Sequence, residues 1–332
     1  MEKIDFVIIW VDGGDPEWQA EKSKYQSDTE NTDTRSIRYR DWDNLQYWFR
    51  AVEKYAPWVN KIHFVTCGHL PEWLDTENPK LNVVKHSDYI PEKYLPTFSS
   101  HPIELNLHRI EGLSDNFVYF NDDVFLTRKV SPCDFFKNGL PVDSAVMYPH
   151  ISRRENSTHS EAANMDVINW HFNKNSVIKK APFKWFNLKY GVKLIFNFCL
   201  MPFRSFPGIL NAHVCTPFKK ETFNTVWEKE YELLDEVCSH KFRHALDVNQ
   251  WLMENWQIVS GNFYPRSMKF GKTCAMSDDD AENKKIYDTL RSKKHKVICI
   301  NDMVMEDGFP RIRDELRAVF EEIFPQKSSF EK

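Results

Sequence analysis

The chain has no G-x-G-x-x-G turn and no P-loop lysine motif, so neither of the common phosphate-cradling loops explains what it binds. It has no C-x-x-C pair. Its seven cysteines, at 67, 133, 199, 215, 238, 274 and 299, form an odd, scattered set that argues against a disulfide framework or a zinc site. They read as reduced, mostly buried thiols. No run of 18 apolar residues occurs, and the N-terminus enters a strand-like segment within four residues, without a charged and apolar leader. The expected location is the cytoplasm. Basic charge is not in excess either, and a net charge of −4 argues against nucleic acid as a partner. No internal repeat divides the chain, and 332 residues with 42% hydrophobic content suffice for a sizeable core.

What is present is concentrated where apolar runs stop. Phe117-Val118-Tyr119-Phe120 reads as a buried parallel strand, and it ends in Asn121-Asp122-Asp123. Open α/β sheets bind ligands beyond the carboxyl ends of their strands, which puts Asp122 and Asp123 at a ligand crevice. Two adjacent acids repel, and a cation relieves that repulsion; hard oxygen donors favour Mg²⁺ or Mn²⁺. The plainer reading is a solvated turn. Ile4 to Val11 is a second buried run, broken at Asp12-Gly13-Gly14-Asp15. Its glycines allow positive φ and close approach of a ligand, and Asp12 and Asp15 can accept hydrogen bonds from ribose or base; an ordinary Asp-Gly turn is the alternative.

Strand-like segments at 4–11, 61–66, 81–85 and 117–121 flank a helical pattern from Asp43 to Tyr55, with Leu45, Trp48, Phe49 and Val52 on one face. That alternation predicts an α/β fold with a mostly parallel, Rossmann-like sheet. Ser23 to Thr34 reads as a polar, mobile loop. After Pro141 the periodicity weakens, and helical segments at Glu221–His240, Asp247–Trp256 and Arg311–Phe324 predict a helical C-terminal half. The division expected is a nucleotide-sugar-binding part over 1–145 and a helical part over 146–332 that completes the active and acceptor sites, integrated as one catalytic domain. Residues 179–208 carry six basic residues, no acids and many aromatics, a mixture that suits an anionic membrane surface, a buried helix with a lysine face, or a grip on a polyanionic acceptor. Ile195 to Met201 is too short to span a bilayer.

Taken together, these motifs resemble the Stealth family of sugar-1-phosphate transferases from capsule synthesis. Trp10 to Trp18 is similar to its first characteristic region. Arg38-Tyr39, Leu45 to Val59, Leu95 to Glu104, His108-Arg109-Ile110 and Asn121 to Val124 resemble the second, Asn211-Ala212-His213, Pro217-Phe218 and Phe242-Arg243 the third, and Ile300-Asn301-Asp302 with Phe324 to Glu331 the fourth. Trp48 and Phe49 stand where the family usually has Ser-Leu, a change of packing more than of chemistry. The animal relative implied is the catalytic core of lysosomal-enzyme N-acetylglucosamine-1-phosphotransferase.

The resemblance implies a GT-A-like fold and a reaction. A hexose- or N-acetylhexosamine-1-phosphate passes from a UDP-sugar to a hydroxyl of a glycan or lipid-linked oligosaccharide, forming a phosphodiester and releasing UMP. Such chemistry needs charge neutralisation, phosphate-gripping cations and a base. The implied catalytic residues are His213 as base, Arg243, Arg109 and Asp123. Trp10, Asp12, Gly13, Asp15, Arg38, Ser100, His108 and Asn121 are expected at the substrates, and Asp122, Asp123, Asn301 and Asp302 at a Mg²⁺ or Mn²⁺ ion. The competing readings are a GT-A-type glycosyltransferase that releases UDP, and a lectin-like module that needs neither paired acids nor arginines.

Overall fold

The computed structural model describes residues 2–26, 32–151 and 158–332. Its strands, in chain order, begin with β1 (Ile4–Ile9), β2 (Thr32–Asp33), β3 (Ile62–Thr66), β4 (Leu81–Lys85), β5 (Asn116–Phe120) and β6 (Val124–Leu126). They continue with β7 (Phe136–Lys137), β8 (Leu140–Asp143), β9 (Thr216–Lys219), β10 (Arg243–His244), β11 (Tyr264–Pro265), β12 (Gly271–Met276) and β13 (Val297–Asp302). The central sheet has the order β4-β3-β1-β5-β9. Its first four strands are parallel and β9 is antiparallel to β5.

A parallel sheet must be covered on both faces, and successive side chains of a strand point to opposite faces. Phe6, Ile8, Val118 and Phe120 therefore enter one core with the helix Leu45–Tyr55 and the C-terminal helix Phe309–Ile323. Val7, Phe117 and Tyr119 enter a second core with the helices Lys220–Lys229, Tyr231–Ser239 and Gln250–Val259. Leu45, Trp48, Phe49 and Val52 are all buried on the predicted helix. Trp48 and Phe49 are fully buried and meet edge to face at 5.1 Å. Each contributes roughly 1.5–3 kcal/mol by burial alone.

The α/β expectation holds, with additions from the C-terminal half. That half supplies β9 to the central sheet, and β13 pairs with β6 and β12, so both parts of the chain share sheets. The expected mobile loop differs in part. Ser23 to Tyr25 complete the helix Pro16–Tyr25, and Thr32–Asp33 pair with β10; residues 27–31 lie outside the described residues. Among the described residues no helix is long and apolar enough to cross a membrane.

Candidate active site

Every parallel strand delivers its carboxyl end to the same side. There the loop after β1, the segment Tyr39–Asp43 and residues following β13 surround a crevice of about 440 Å³ lined by Asp12, Gly13, Gly14, Tyr39, Arg40, Asp41, Asp43, Glu306 and Arg313. Asp41 on its lining lies within electrostatic reach of Asp122. Asp122 and Asp123 occupy the turn between β5 and β6, closed by Val124 N donating to Asn121 O at 3.1 Å. Because β6 is antiparallel to β13, with Cys299 opposite Val124, the backbone N–H of Ile300 reaches Asp123 O at 2.9 Å. That register brings Cys299, with Asn301 two residues on along the same strand face, beside Asp123.

Asp123, His213 and Cys299 form a group whose potential ligand atoms lie within 4.8 Å of one another. The Cys299 thiol donates to Asp123 Oδ2 at 3.3 Å and to Asn301 Oδ1 at 3.2 Å. Asp123 Oδ1 is buried without a hydrogen-bond partner, a costly state for a carboxylate that a bound cation would relieve. The donor set of carboxylate and imidazole therefore fits a divalent ion. Asp122 keeps solvent access but is ringed by protein; that surrounding, then the charges of Asp123 and Asp41, push its pKa up to about 7.

His213 sits in the loop before β9. Thr273 Oγ1 donates to its carbonyl at 3.1 Å, and Asn211 Nδ2 donates to Asn255 Oδ1 at 3.0 Å, so the loop is tied on two sides. Its Nε2 lies 2.9 Å from the Asn121 amide. Asn121 in turn meets the Tyr119 hydroxyl, which reaches buried Glu104 at 3.0 Å. A buried polar chain thus orients the imidazole.

Two arginines lie near these acids. Arg243, on β10 and opposite Asp33 of β2, donates to Ser100 Oγ at 2.8 Å, and Arg38, in the short helix Ser36–Tyr39, donates to Asp33 Oδ2 at 2.7 Å. Burial and the nearby Arg243 cation hold the Arg38 pKa below its ordinary value, a repulsion that a bound anion would offset. Arg243 also lies within electrostatic reach of Asp122.

Several expected residues have other work. Arg109 and His108 are not at the crevice. The helix Ser100–Leu105 carries the chain from Ser100 to the amino end of β5, where Arg109 stacks on Trp227 at 4.8 Å and donates to Asn106, and His108 packs on Phe223. Burial, then the Arg109 and Lys220 charges, depress the His108 pKa to about 3. Asp15 caps the following helix, accepting from Trp18 N at 2.7 Å. Gly13 does not use positive φ; an added Cβ would lie 1.9 Å from Tyr39 O, so close backbone packing demands glycine there. Asp12 accepts from Gly14 N, and Trp10 is buried against Phe64 and His69 with its Nε1 toward Asp41. Asp302 turns away from Asp123 to meet Trp42 Nε1 at 3.1 Å and Arg40 at 3.6 Å. Sequence reasoning missed Asp41, whose pKa is raised by burial and by Asp43 and Asp12, and missed Cys299.

The fold defines an α/β protein that places two adjacent acids beyond the carboxyl end of β5, with Arg243 within electrostatic reach of Asp122. The chain belongs to the Stealth family: Stealth protein conserved region 1 matches residues 2–29, conserved region 2 matches 38–142 and conserved region 4 matches 288–332. It is 45% identical to a capsular polysaccharide phosphotransferase, WcwK, of Streptococcus pneumoniae over 100% of this chain and 99% of that one. It is 41% identical to the exopolysaccharide phosphotransferase cps2G of Lactiplantibacillus plantarum, covering 99% and 96%, and 40% identical to the receptor polysaccharide phosphotransferase WefC of Streptococcus oralis, covering 100% of both. A solved galactosyltransferase, LgtC in complex with donor and acceptor sugar analogs, is similar in layout at a TM-score of 0.41 and 9% identity over 98% of each chain, too distant to inform the site.

Proposed function

We propose that the protein moves a sugar-1-phosphate from a UDP-sugar to a hydroxyl of a growing cell-surface glycan, free or lipid-linked. The observation that carries this reading is the pair Asp122 and Asp123 beyond the carboxyl end of β5 with Arg243 within electrostatic reach, in a chain similar end to end to proteins named polysaccharide phosphotransferases. Residues 1–145 supply the donor side, and His213 and Arg243 from 146–332 complete it. Seven free thiols suit a reducing cytoplasm, where UDP-sugars are made.

In the reaction the acceptor oxygen attacks the β-phosphorus. The bond from that phosphorus to the bridging oxygen breaks, UMP leaves with the electron pair, and the anomeric carbon is untouched. His213 takes the acceptor proton, held in place by Asn121 and the Tyr119–Glu104 chain. Arg38 and Arg243 grip the diphosphate oxygens with planar donors. Asp123, with Asp122 beside it, would hold Mg²⁺ or Mn²⁺, which supplies further charge neutralisation. A second reading has its own observation: His213 lies within 4.8 Å of the Asp123 and Cys299 donors, as a metal ligand would.

One experiment separates these roles and the competing glycosyltransferase. With a UDP-sugar panel and acceptor oligosaccharides, the expected nucleotide is UMP and the product a phosphodiester seen by phosphorus NMR. His213→Ala should lose transfer by a factor of about a hundred or more while keeping donor affinity and bound metal. Loss of metal from that variant would make His213 a ligand, and UDP with a plain glycoside would overturn the phosphotransfer itself.

A further inference from the structure

We infer that residues 179–204 form a docking surface for an anionic lipid bilayer. Among the described residues, six of the fourteen exposed large hydrophobics fall between 183 and 203: Phe183, Leu188, Val192, Ile195, Phe198 and Phe203. Phe183, Leu188 and Val192 are 85%, 88% and 90% exposed. Single exposed hydrophobics are ordinary, but this density in one short stretch is not.

The stretch is anchored beneath, so its outward side chains are held outward. Trp185 and Phe206 are buried and stacked at 5.3 Å, and Asn197 donates to the carbonyls of Ala145 and Trp185. Phe186 packs on Phe198 at 4.7 Å, setting the short helices Pro182–Trp185 and Leu194–Cys199 side by side. Ile195 and Phe198, three residues apart, share a face. Gly191, with φ of 57°, turns the chain between Leu188 and Val192.

Charge selects the occupant. Residues 179–208 contain no acid, and Lys179, Lys180 and Arg204 are exposed, although the chain as a whole carries −4. Lys184 and Lys189 do not contribute: their ammonium groups bind the carbonyls of Gly261, Phe263 and Pro265. A symmetric dimer through this face would set its cations against themselves, whereas anionic headgroups complement them and the acyl boundary takes the apolar tips. The same segment runs within five residues into the loop of His213, so a bilayer here lies next in chain to the crevice.

The test reads vesicle binding rather than turnover, so its failure is distinct from failure of the proposed reaction. Flotation of the full chain with phosphatidylglycerol–phosphatidylcholine vesicles should show binding that weakens with salt and is at least about tenfold poorer on pure phosphatidylcholine. The triple variant Phe183→Ser, Leu188→Ser, Val192→Ser removes side chains that support no core, and should lower binding at least about tenfold with an unchanged melting temperature. Lys179→Glu with Lys180→Glu should weaken binding to the charged vesicles alone. Absence of binding at low salt, equal binding to both vesicles, or wild-type binding by the triple variant would overturn the inference. So would a wild-type dimer that the triple variant converts to monomer.

Discussion

Asp123→Asn should make the metal-free protein more stable and the metal-loaded protein inactive. In the absence of a cation, Asp123 Oδ1 is buried and unpaired, and its charge is one cause of the rise in the Asp122 pKa from 3.8 to about 7. That rise corresponds to roughly 4 kcal/mol in total. Burial is the larger cause and Asp122 keeps access to water, so screening leaves about 1 kcal/mol for the Asp123 charge. The amide exchanges one unpaired atom for another but removes that charge. In chelator the variant should therefore melt higher by about 2 °C. With Mn²⁺ at a hundred times its dissociation constant, the wild type gains about 2.7 kcal/mol and overtakes it, while the variant does not respond. Differential scanning fluorimetry in EDTA and across a Mn²⁺ series reads both effects. A variant that melts below wild type in EDTA, or that shifts equally with Mn²⁺, would refute the reasoning.

Chelation should abolish transfer by the wild type and Mg²⁺ or Mn²⁺ should restore it, measured as UMP release. Arg243→Lys should raise the donor KM about tenfold, because a point charge replaces a planar donor pair, and an unchanged KM would remove Arg243 from the phosphate wall. Arg109→Ala and His108→Ala should leave turnover within about twofold of wild type, since both lie at the far end of β5; a loss of a hundredfold would return them to the site. Asp5 accepts from Asn60, Lys61 N, His63 and Ser114 N; burial alone would raise its carboxyl, but these hydrogen bonds outweigh it and hold the pKa at about 2. Because the folded value lies below the unfolded one, this stability is present above about pH 4 and is lost as pH falls through about 2, so Asp5→Asn should cost about 2 kcal/mol at pH 7 by urea titration and about 1 kcal/mol or less at pH 2.5.

The central strands were legible because parallel strands covered on both faces must be apolar on both. β1, β3 and β4 lie within the segments read from the sequence and β5 is shifted from its segment by one residue, all ends differing by two residues or fewer. The helix at 45–55 showed its buried face by the same logic at a different period. β9 was not legible. It is four residues long and contains Pro217, which a strand tolerates here because β9 is at the sheet edge and pairs on one side only. β12 and β13 were also unread: Gly271 to Met276 is largely polar and exposed, and its strand state comes from pairing with β13.

At the crevice the same divide separates local chemistry from assembled chemistry. Asp122 and Asp123 announced themselves because a single segment holds both the strand and its acids. Asp15 looked like a ligand group and is a cap, since an aspartate before Pro-Glu satisfies the first turn of a helix as readily as it satisfies ribose. Arg109 and His108 were named from the family resemblance alone, and nothing local in the sequence shows that the helix Ser100–Leu105 carries them to the amino end of β5. Cys299 was dismissed with the other thiols, and only the β6–β13 register sets it against Asp123. The candidate metal site proposed at Asp123 thus draws on a strand 176 residues downstream. Any change that slips that register by one residue turns Cys299 and Asn301 to the other face and Asp302 toward Asp123, so the proposed site depends on the pairing of β6 with β13 as much as on its carboxylates.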